Sequence, residues 1–271
     1  MGELLWYLSG KDDLAFIQHY LKRYDESAEP NGKIHGAYGP RLFNSQGINQ
    51  VEQVISLLKR KSSSRRAAIQ IFEARDLTSD YKDIPCTCTL QFTIRNSRLN
   101  MIVFMRSNDA YRGLPHDIFA FTMLQEIIAR SLGVELGTYK HSVGSLHLYD
   151  YDAKKAQRYL DEGFQDARPM PRMPDGDPWP AIRKVQELEE QIRLEKAGPL
   201  LLEDLPEFWT DLVRIPKIYA LGENGAEKRE IVALKKAMST DVYDSYARKF
   251  ERRATIKPTQ QELPLEGNNE R

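Results

Sequence analysis

Residues 85–109 read PCTCTLQFTIRNSRLNMIVFMRSND. Within them Thr87 to Arg95 and Leu99 to Met105 are rich in β-branched and apolar residues, and Asn96-Ser-Arg98 between them has the composition of a tight hairpin turn. Working outward, Arg66 to Phe72 is a third run of this kind, whereas Leu14 to Tyr24 and Val51 to Lys61 carry helical spacing. Ile118 to Leu132 is apolar nearly all round and stops at Gly133, which predicts a buried central helix. A further helix is expected over Ala153 to Glu162, ending at Gly163. Short strands alternating with helices make a mixed α/β core.

The chain of 271 residues is 41% hydrophobic and carries 39 Lys plus Arg against 39 Asp plus Glu. That balance makes no general case for nucleic acid or an anionic membrane as a partner, so an anion must be met locally. No apolar run approaches the roughly 18 residues of a membrane span, and no basic stretch leads into an apolar signal segment, so a cytoplasmic protein is expected. Cys86 and Cys88 stand two apart on one strand, a spacing that suits neither a disulfide nor the usual zinc pair, and no metal site is expected. The texture changes near residue 175, after Arg168-Pro-Met-Pro-Arg-Met-Pro174 has forced an extended path. Beyond it Ala181 to Lys196 and Lys228 to Arg253 read as charged amphipathic helices, joined by a Pro-containing apolar stretch through Phe208, Trp209 and Tyr219. The expected organisation is a catalytic part over 1–174, a helical extension over 175–257 and a loose polar tail over 258–271.

Three local features suggest chemistry. Pro85-Cys86 precedes a strand, Arg65-Arg66 follows a serine-rich turn, and Arg106-Ser-Asn-Asp109 closes another strand. Arginines at strand ends can hold a phosphate bidentately, and one near a cysteine favours the thiolate. Each also has a plain reading, as a buried small side chain or a solvated corner.

Taken in order, Glu3-Leu-Leu-Trp-Tyr-Leu-Ser-Gly10, Gly36-Ala-Tyr-Gly39, Ser64-Arg-Arg66, Pro85-Cys86, Gln91-Phe92, Arg106-Ser-Asn-Asp109, Gly113-Leu-Pro115, Gly144-Ser-Leu-His-Leu-Tyr149 and Arg168-Pro-Met-Pro171 resemble the thymidylate synthase family, which includes the deoxycytidylate and cytidylate hydroxymethylases. The resemblance covers residues 3 to 174. It implies a twisted mixed β-sheet flanked by helices, in a homodimer built sheet to sheet. It also implies one-carbon transfer from 5,10-methylenetetrahydrofolate to C5 of a pyrimidine nucleoside monophosphate. Cys86 would add to C6 as a thiolate and make C5 nucleophilic; its position five residues before Gln91 matches the family motif, and that of Cys88 does not. Arg106 and Ser107, with Arg65 and Arg66 from the other subunit, would bind the phosphate. His147 and Tyr149 would contact the sugar hydroxyl, Asp109 and Gly113 would lie at the pterin, and Glu3 and Tyr38 would belong to a proton relay. A plain strand-edge pair is the alternative for His147 and Tyr149.

The departures from the family pattern concern the base. Thymidylate synthases have an asparagine where Asp117 stands; an aspartate accepts from the cytosine amino group and, if protonated, donates to N3. The alternative is that Asp117 caps a helix starting at Ile118. Asp83 replaces an apolar shield, Tyr24 a tryptophan, and Thr87 a histidine. The first two make the region around the exocyclic methylene more polar, which would let water give hydroxymethyl in place of methyl. Cys86-Thr87 with Val143-Gly-Ser-Leu-His147 is similar to the cytidylate hydroxymethylase branch. The family's N-terminal strand and arginine-bearing loop have no counterpart ahead of Glu3, and residues beyond 174 do not resemble its C-terminal lid. Hydroxymethylation of dCMP or CMP is therefore expected, with a thymidylate synthase or a non-catalytic nucleotide binder as alternatives.

Overall fold

A computed structural model describes residues 1–164, 167–195 and 200–254. The chain opens with α1 (Gly2–Ser9), α2 (Leu14–Tyr20), α3 (Tyr38–Phe43) and α4 (Gln50–Arg60). The helix expected to run from Leu14 to Tyr24 ends at Tyr20, and after Leu21 a 3-10 segment, Lys22–Ser27, takes over.

Four strands then form one sheet in the order β1 (Ala68–Gln70), β2 (Thr87–Arg95), β3 (Arg98–Met105), β5 (Glu135–Val143); a pair of short strands, β4 (Asn108–Asp109) and β6 (Leu146–His147), lies apart from it. The hairpin is where the sequence places it. Asn96 and Ser97 have φ of 52° and 55°, the left-handed pair that a two-residue turn requires. β2 is antiparallel to both neighbours, and β3 and β5 are parallel, so the twisted mixed sheet flanked by helices is present. Leu90, Phe92, Leu99, Met101, Val103 and Met105 point to one face and are fully buried there. They meet Phe121, Leu124, Ile127 and Ile128 of α5 (Gly113–Leu132), the helix that carries the chain from β3 across to β5.

The helix α5 is buried and ends in a left-handed Gly133, φ 65°, as expected, but it starts five residues before Ile118. Pro115 does not prevent this, because a proline in the first turn lacks only an N–H that would have had no partner in the helix. Asp117 is therefore inside the helix and not its cap; the N-cap position belongs to Arg112, and the Asp117 carboxylate is engaged elsewhere.

After α6 (Asp150–Asp161) and the proline-rich passage come α7 (Trp179–Arg193), α8 (Glu207–Glu223), α9 (Lys228–Lys236) and α10 (Asp244–Glu251). Two expectations need correction. The apolar stretch through Phe208 and Tyr219 is itself a helix, with Pro216 inside it. The single helix expected over Lys228 to Arg253 is two, because Ser239 leaves the helical ladder and its N–H and hydroxyl both donate to the buried Asp211. One apolar cluster joins Leu4 to Ala220 across the change in texture at residue 175. Tyr20 Oη donates to Glu189 and Tyr219 Oη to the His19 carbonyl, both at 2.7 Å, tying α7 and α8 to α2. The tail expected to be loose from Pro258 lies outside the described residues.

Candidate active site

Cys86 ends the loop that enters β2, next to the last residue of β3. Arg106 locks this junction: its backbone N–H donates to the Cys86 carbonyl at 2.8 Å, while Nε and Nη2 donate at 2.9 Å to the carbonyls of Pro85 and Ile84. The guanidinium does favour the Cys86 thiolate. Burial outweighs it, and with Asp83, Asp117 and Cys88 nearby the thiol is pushed above its usual range. Asp83 is likewise raised by burial, against the opposing fields of Arg41, His35 and Arg106. It packs where a Cβ on Gly36 would collide with its carboxylate, so the Gly-Ala-Tyr-Gly turn leaves room for this acid.

Around the thiol stands a set of phenols and carboxylates contributed by separate helices. Tyr38, at the head of α3, is buried, and its hydroxyl accepts from the Thr87 N–H at 3.1 Å and contacts Thr87 Oγ1 at 3.0 Å. Glu3 on α1 pairs with His116 on α5 at 3.0 Å. Tyr24 packs edge-on to Trp6, and burial together with Glu3, Asp83, Tyr38 and Asp117 raises its pKa. Asp117, 9% exposed, accepts from Asn108 Nδ2 at 2.6 Å. Burial, reinforced by the charge of Glu3 and opposed by the Asn108 hydrogen bond and His116, pushes Asp117 up to about 7. The carboxyl therefore exchanges its proton near neutral pH, as an acid–base group does.

The short β4–β6 pair brings the second arginine motif beside the Gly144–Tyr149 segment. Asp109 faces His147 in register, the Asn108 N–H donates to the Ser145 carbonyl, and Ser107 Oγ lies 3.4 Å from His147 Nδ1. The His147 ring meets Tyr149 edge-on, with Tyr149 exposed. Asp109 Oδ1 accepts from the N–H groups of Tyr111 and Arg112, while its Oδ2 is buried without a partner. A Cβ on Gly113 would stand 3.0 Å from the Asn108 amide nitrogen, so a side chain there would press on Asn108 beside Asp117 and Asp109.

Arg65, Arg66 and Gln91 are not brought to this cluster. Gln91 Nε2 reaches the Arg65 carbonyl at 3.4 Å, and both arginines line a cavity of about 1110 Å³ with Ile94, Arg95, Asn96 and Ser97, at the hairpin end of the sheet. Cys86 sits at the opposite end of β2.

The family model described as thymidylate synthase matches residues 1–187. The chain belongs to the thymidylate synthase family. This family transfers a one-carbon unit from methylenetetrahydrofolate to C5 of a pyrimidine nucleotide, and the match extends into α7. The buried Asp109 Oδ2 is an acceptor without a partner, as an N–H donor of such a folate would require. No helix among the described residues is long and apolar enough to cross a membrane, and none holds a metal-binding cluster of His, Cys, Asp and Glu. Two members of the site escaped the sequence reading. Asn108, inside the Arg106–Asp109 motif, and His116 carry no local pattern that marks them; only their contacts to Asp117 and Glu3 reveal them.

Proposed function

We propose that the protein hydroxymethylates C5 of a cytosine nucleoside monophosphate, dCMP or CMP, and that it works as a homodimer. The observation that carries this reading is the buried, readily protonated Asp117. Cytosine presents an amino donor at C4 and an acceptor at N3, so a carboxylic acid there can accept from one and donate to the other, whereas uracil needs the proton on the opposite oxygen.

Cys86 Sγ, after losing its proton, adds to C6; the electrons of the C5–C6 double bond move toward C4 and N3, where the Asp117 proton meets the developing charge. Arg106, free at Nη1 among the described residues, and Ser107 hold the phosphate with the partner's Arg65 and Arg66. His147 and Tyr149 hold the sugar. Glu3 and Tyr38 carry protons between the buried groups. Asp109, Gly113, Tyr24 and Asp83 would hold the folate, which supplies the one-carbon unit when bound. Asp83 and Tyr24 are polar groups that admit water next to that carbon, favouring hydroxymethyl over methyl. C5 would bond to that carbon and lose its proton as the folate nitrogen departs; water would then add to the exocyclic carbon, and expulsion of the Cys86 thiolate would restore the ring.

A dimer is supported by the outer face of the sheet, where Ile102 and Phe104 are 39% and 42% exposed, and by the distance of Arg65 and Arg66 from their own Cys86. Residues 1–174 would form the catalytic part and 175–257 its helical extension. Two free cysteines fit a reducing compartment such as the cytoplasm. Mass spectrometry of products from dCMP, CMP and dUMP with methylenetetrahydrofolate tests the proposal. Hydroxymethylated cytosine nucleotide is expected; efficient conversion of dUMP to dTMP with dCMP and CMP ignored would overturn it, and no product from any of the three would leave a nucleotide binder.

A further inference from the structure

Asp117 ends a file of side chains that runs back into the sheet. Tyr139 Oη and His141 Nδ1, both on β5, are 2.7 Å apart; His141 Nε2 and Asn108 Oδ1 are 3.3 Å apart; Asn108 Nδ2 and Asp117 Oδ2 are 2.6 Å apart. Tyr139 and His141 are two residues apart on one strand and so share a face. Asn108 lies over the first turn of α5, in space that a Cβ on Gly113 would narrow to 3.0 Å from its amide nitrogen.

The direction of each bond follows from the ends. Burial lowers the pKa of His141, which keeps it neutral, so one ring nitrogen donates and the other accepts. With the Asn108 amide donating to the carboxylate, its oxygen must accept, and His141 carries its proton at Nε2. Nδ1 then accepts from the Tyr139 hydroxyl. The turned amide would instead need the Asp117 proton on Oδ2 and the His141 proton on Nδ1.

We infer that Tyr139 and His141 are positioning residues for base recognition: acting through Asn108, they reserve Asp117 Oδ2 as an acceptor and direct the carboxyl proton to Oδ1. The inference rests on the cytosine reading of the site. A cytosine edge needs this division, one oxygen accepting from the amino group and the other donating to N3. Oδ2 has a second lone pair for the amino group while it accepts from Asn108. The other groups facing Asp117 are Glu3 and Tyr7 from α1, Tyr24 from the 3-10 segment, Tyr38 from α3, Cys86 from the loop before β2, and His116 beside it on α5. Glu3 and His116 set how readily the proton leaves; the file sets which oxygen holds it.

The test compares wild type with Tyr139→Phe, His141→Gln and His141→Phe. The Asp117 carboxyl is titrated by carbon-13 NMR without nucleotide, its signal assigned by its loss in D117N, and kcat and KM are measured against pH for dCMP, CMP and dUMP. Losing His141 slackens the Asn108 bond that favours the ionised form, so His141→Phe should raise the Asp117 pKa by about one unit. It should move the alkaline limb of cytosine turnover upward equally and lower kcat for cytosine nucleotides about tenfold more than for dUMP. Tyr139→Phe should shift both in the same direction by less, and His141→Gln, which keeps a donor for Asn108, should restore part of the loss. An Asp117 titration unmoved in both phenylalanine variants, or an equal loss of activity on both bases, would overturn the relay. A wild type that uses dUMP alone overturns the cytosine reading, while the titration still decides the relay.

Discussion

At Asp117 the burial that suits the carboxyl to a base edge also makes the fold sensitive to pH. Its pKa is about 7 in the folded chain against an ordinary 3.8. Between those values the native state keeps a proton that the unfolded chain releases, so the contribution of this group to stability is greatest below about pH 4 and declines as pH rises toward 7, by on the order of a few kcal/mol. Asp117→Asn removes this slope because an amide does not ionise in this range. Thermal melts should therefore show the variant gaining more on wild type at pH 8 than at pH 5; an equal difference at both would place the charge of Asp117 in solvent. The same substitution exchanges an acceptor for a donor opposite C4 of the base, and relative kcat/KM should move toward uracil by roughly tenfold to a hundredfold. At Cys86 the prediction is all-or-none. A serine hydroxyl has no accessible anion in this site, so Cys86→Ser should abolish turnover yet leave nucleotide binding by calorimetry largely intact, whereas Cys88→Ser should be mild. A dead Cys88→Ser with an active Cys86→Ser would shift the nucleophile by two residues.

Elements fix where these side chains stand. The loop leading to Asp83 and Cys86 is anchored through the 3-10 turn Ala74–Leu77, where Asp76 takes both nitrogens of Arg41 at 2.7 and 2.8 Å. His35 Nε2 and the Glu73 N–H approach the same carboxylate at 2.7 Å each. Arg41 and Asp76 are buried, 3% and 0% exposed, so Asp76→Ala leaves an uncompensated cation in the interior and should cost about 3–5 kcal/mol in chemical denaturation. A cost below about 1 kcal/mol would mean that the turn is held by its backbone alone. Neither partner was legible in the sequence, because Arg41 and Asp76 are 35 residues apart and only the packing of α3 against the sheet brings them together. Strands β2 and β3 were legible, since adjacent runs with a turn between them depend on local contacts. The start of α5 was not: the apolar run begins only at Ile118, yet the first helical turn tolerates Gly113 and Pro115.

For the whole molecule the decisive question is the second subunit. Arg65 and Arg66 lie at the hairpin end of the sheet and Cys86 at the other, so a phosphate site containing all three requires a partner. Mixing an Arg65→Ala, Arg66→Ala chain with a Cys86→Ser chain should restore part of the activity, because each mixed dimer holds one site built from intact halves. A mixed dimer verified by native mass spectrometry that stays inactive would remove these arginines from the site.

The sequence by itself determined the family, the hairpin, the buried central helix and the position of the thiol, because these are carried by residues close together along the chain. The tertiary structure alone decided the surroundings of the chemistry. Burial raises Cys86 where a neighbouring arginine had suggested the opposite, and it gives Asp117 a pKa near neutrality. The file from Tyr139 to Asp117 joins β5, β4 and α5, which no local pattern connects. Desolvation and hydrogen bonding between distant segments depend on which elements pack together, and that is settled only when the core closes.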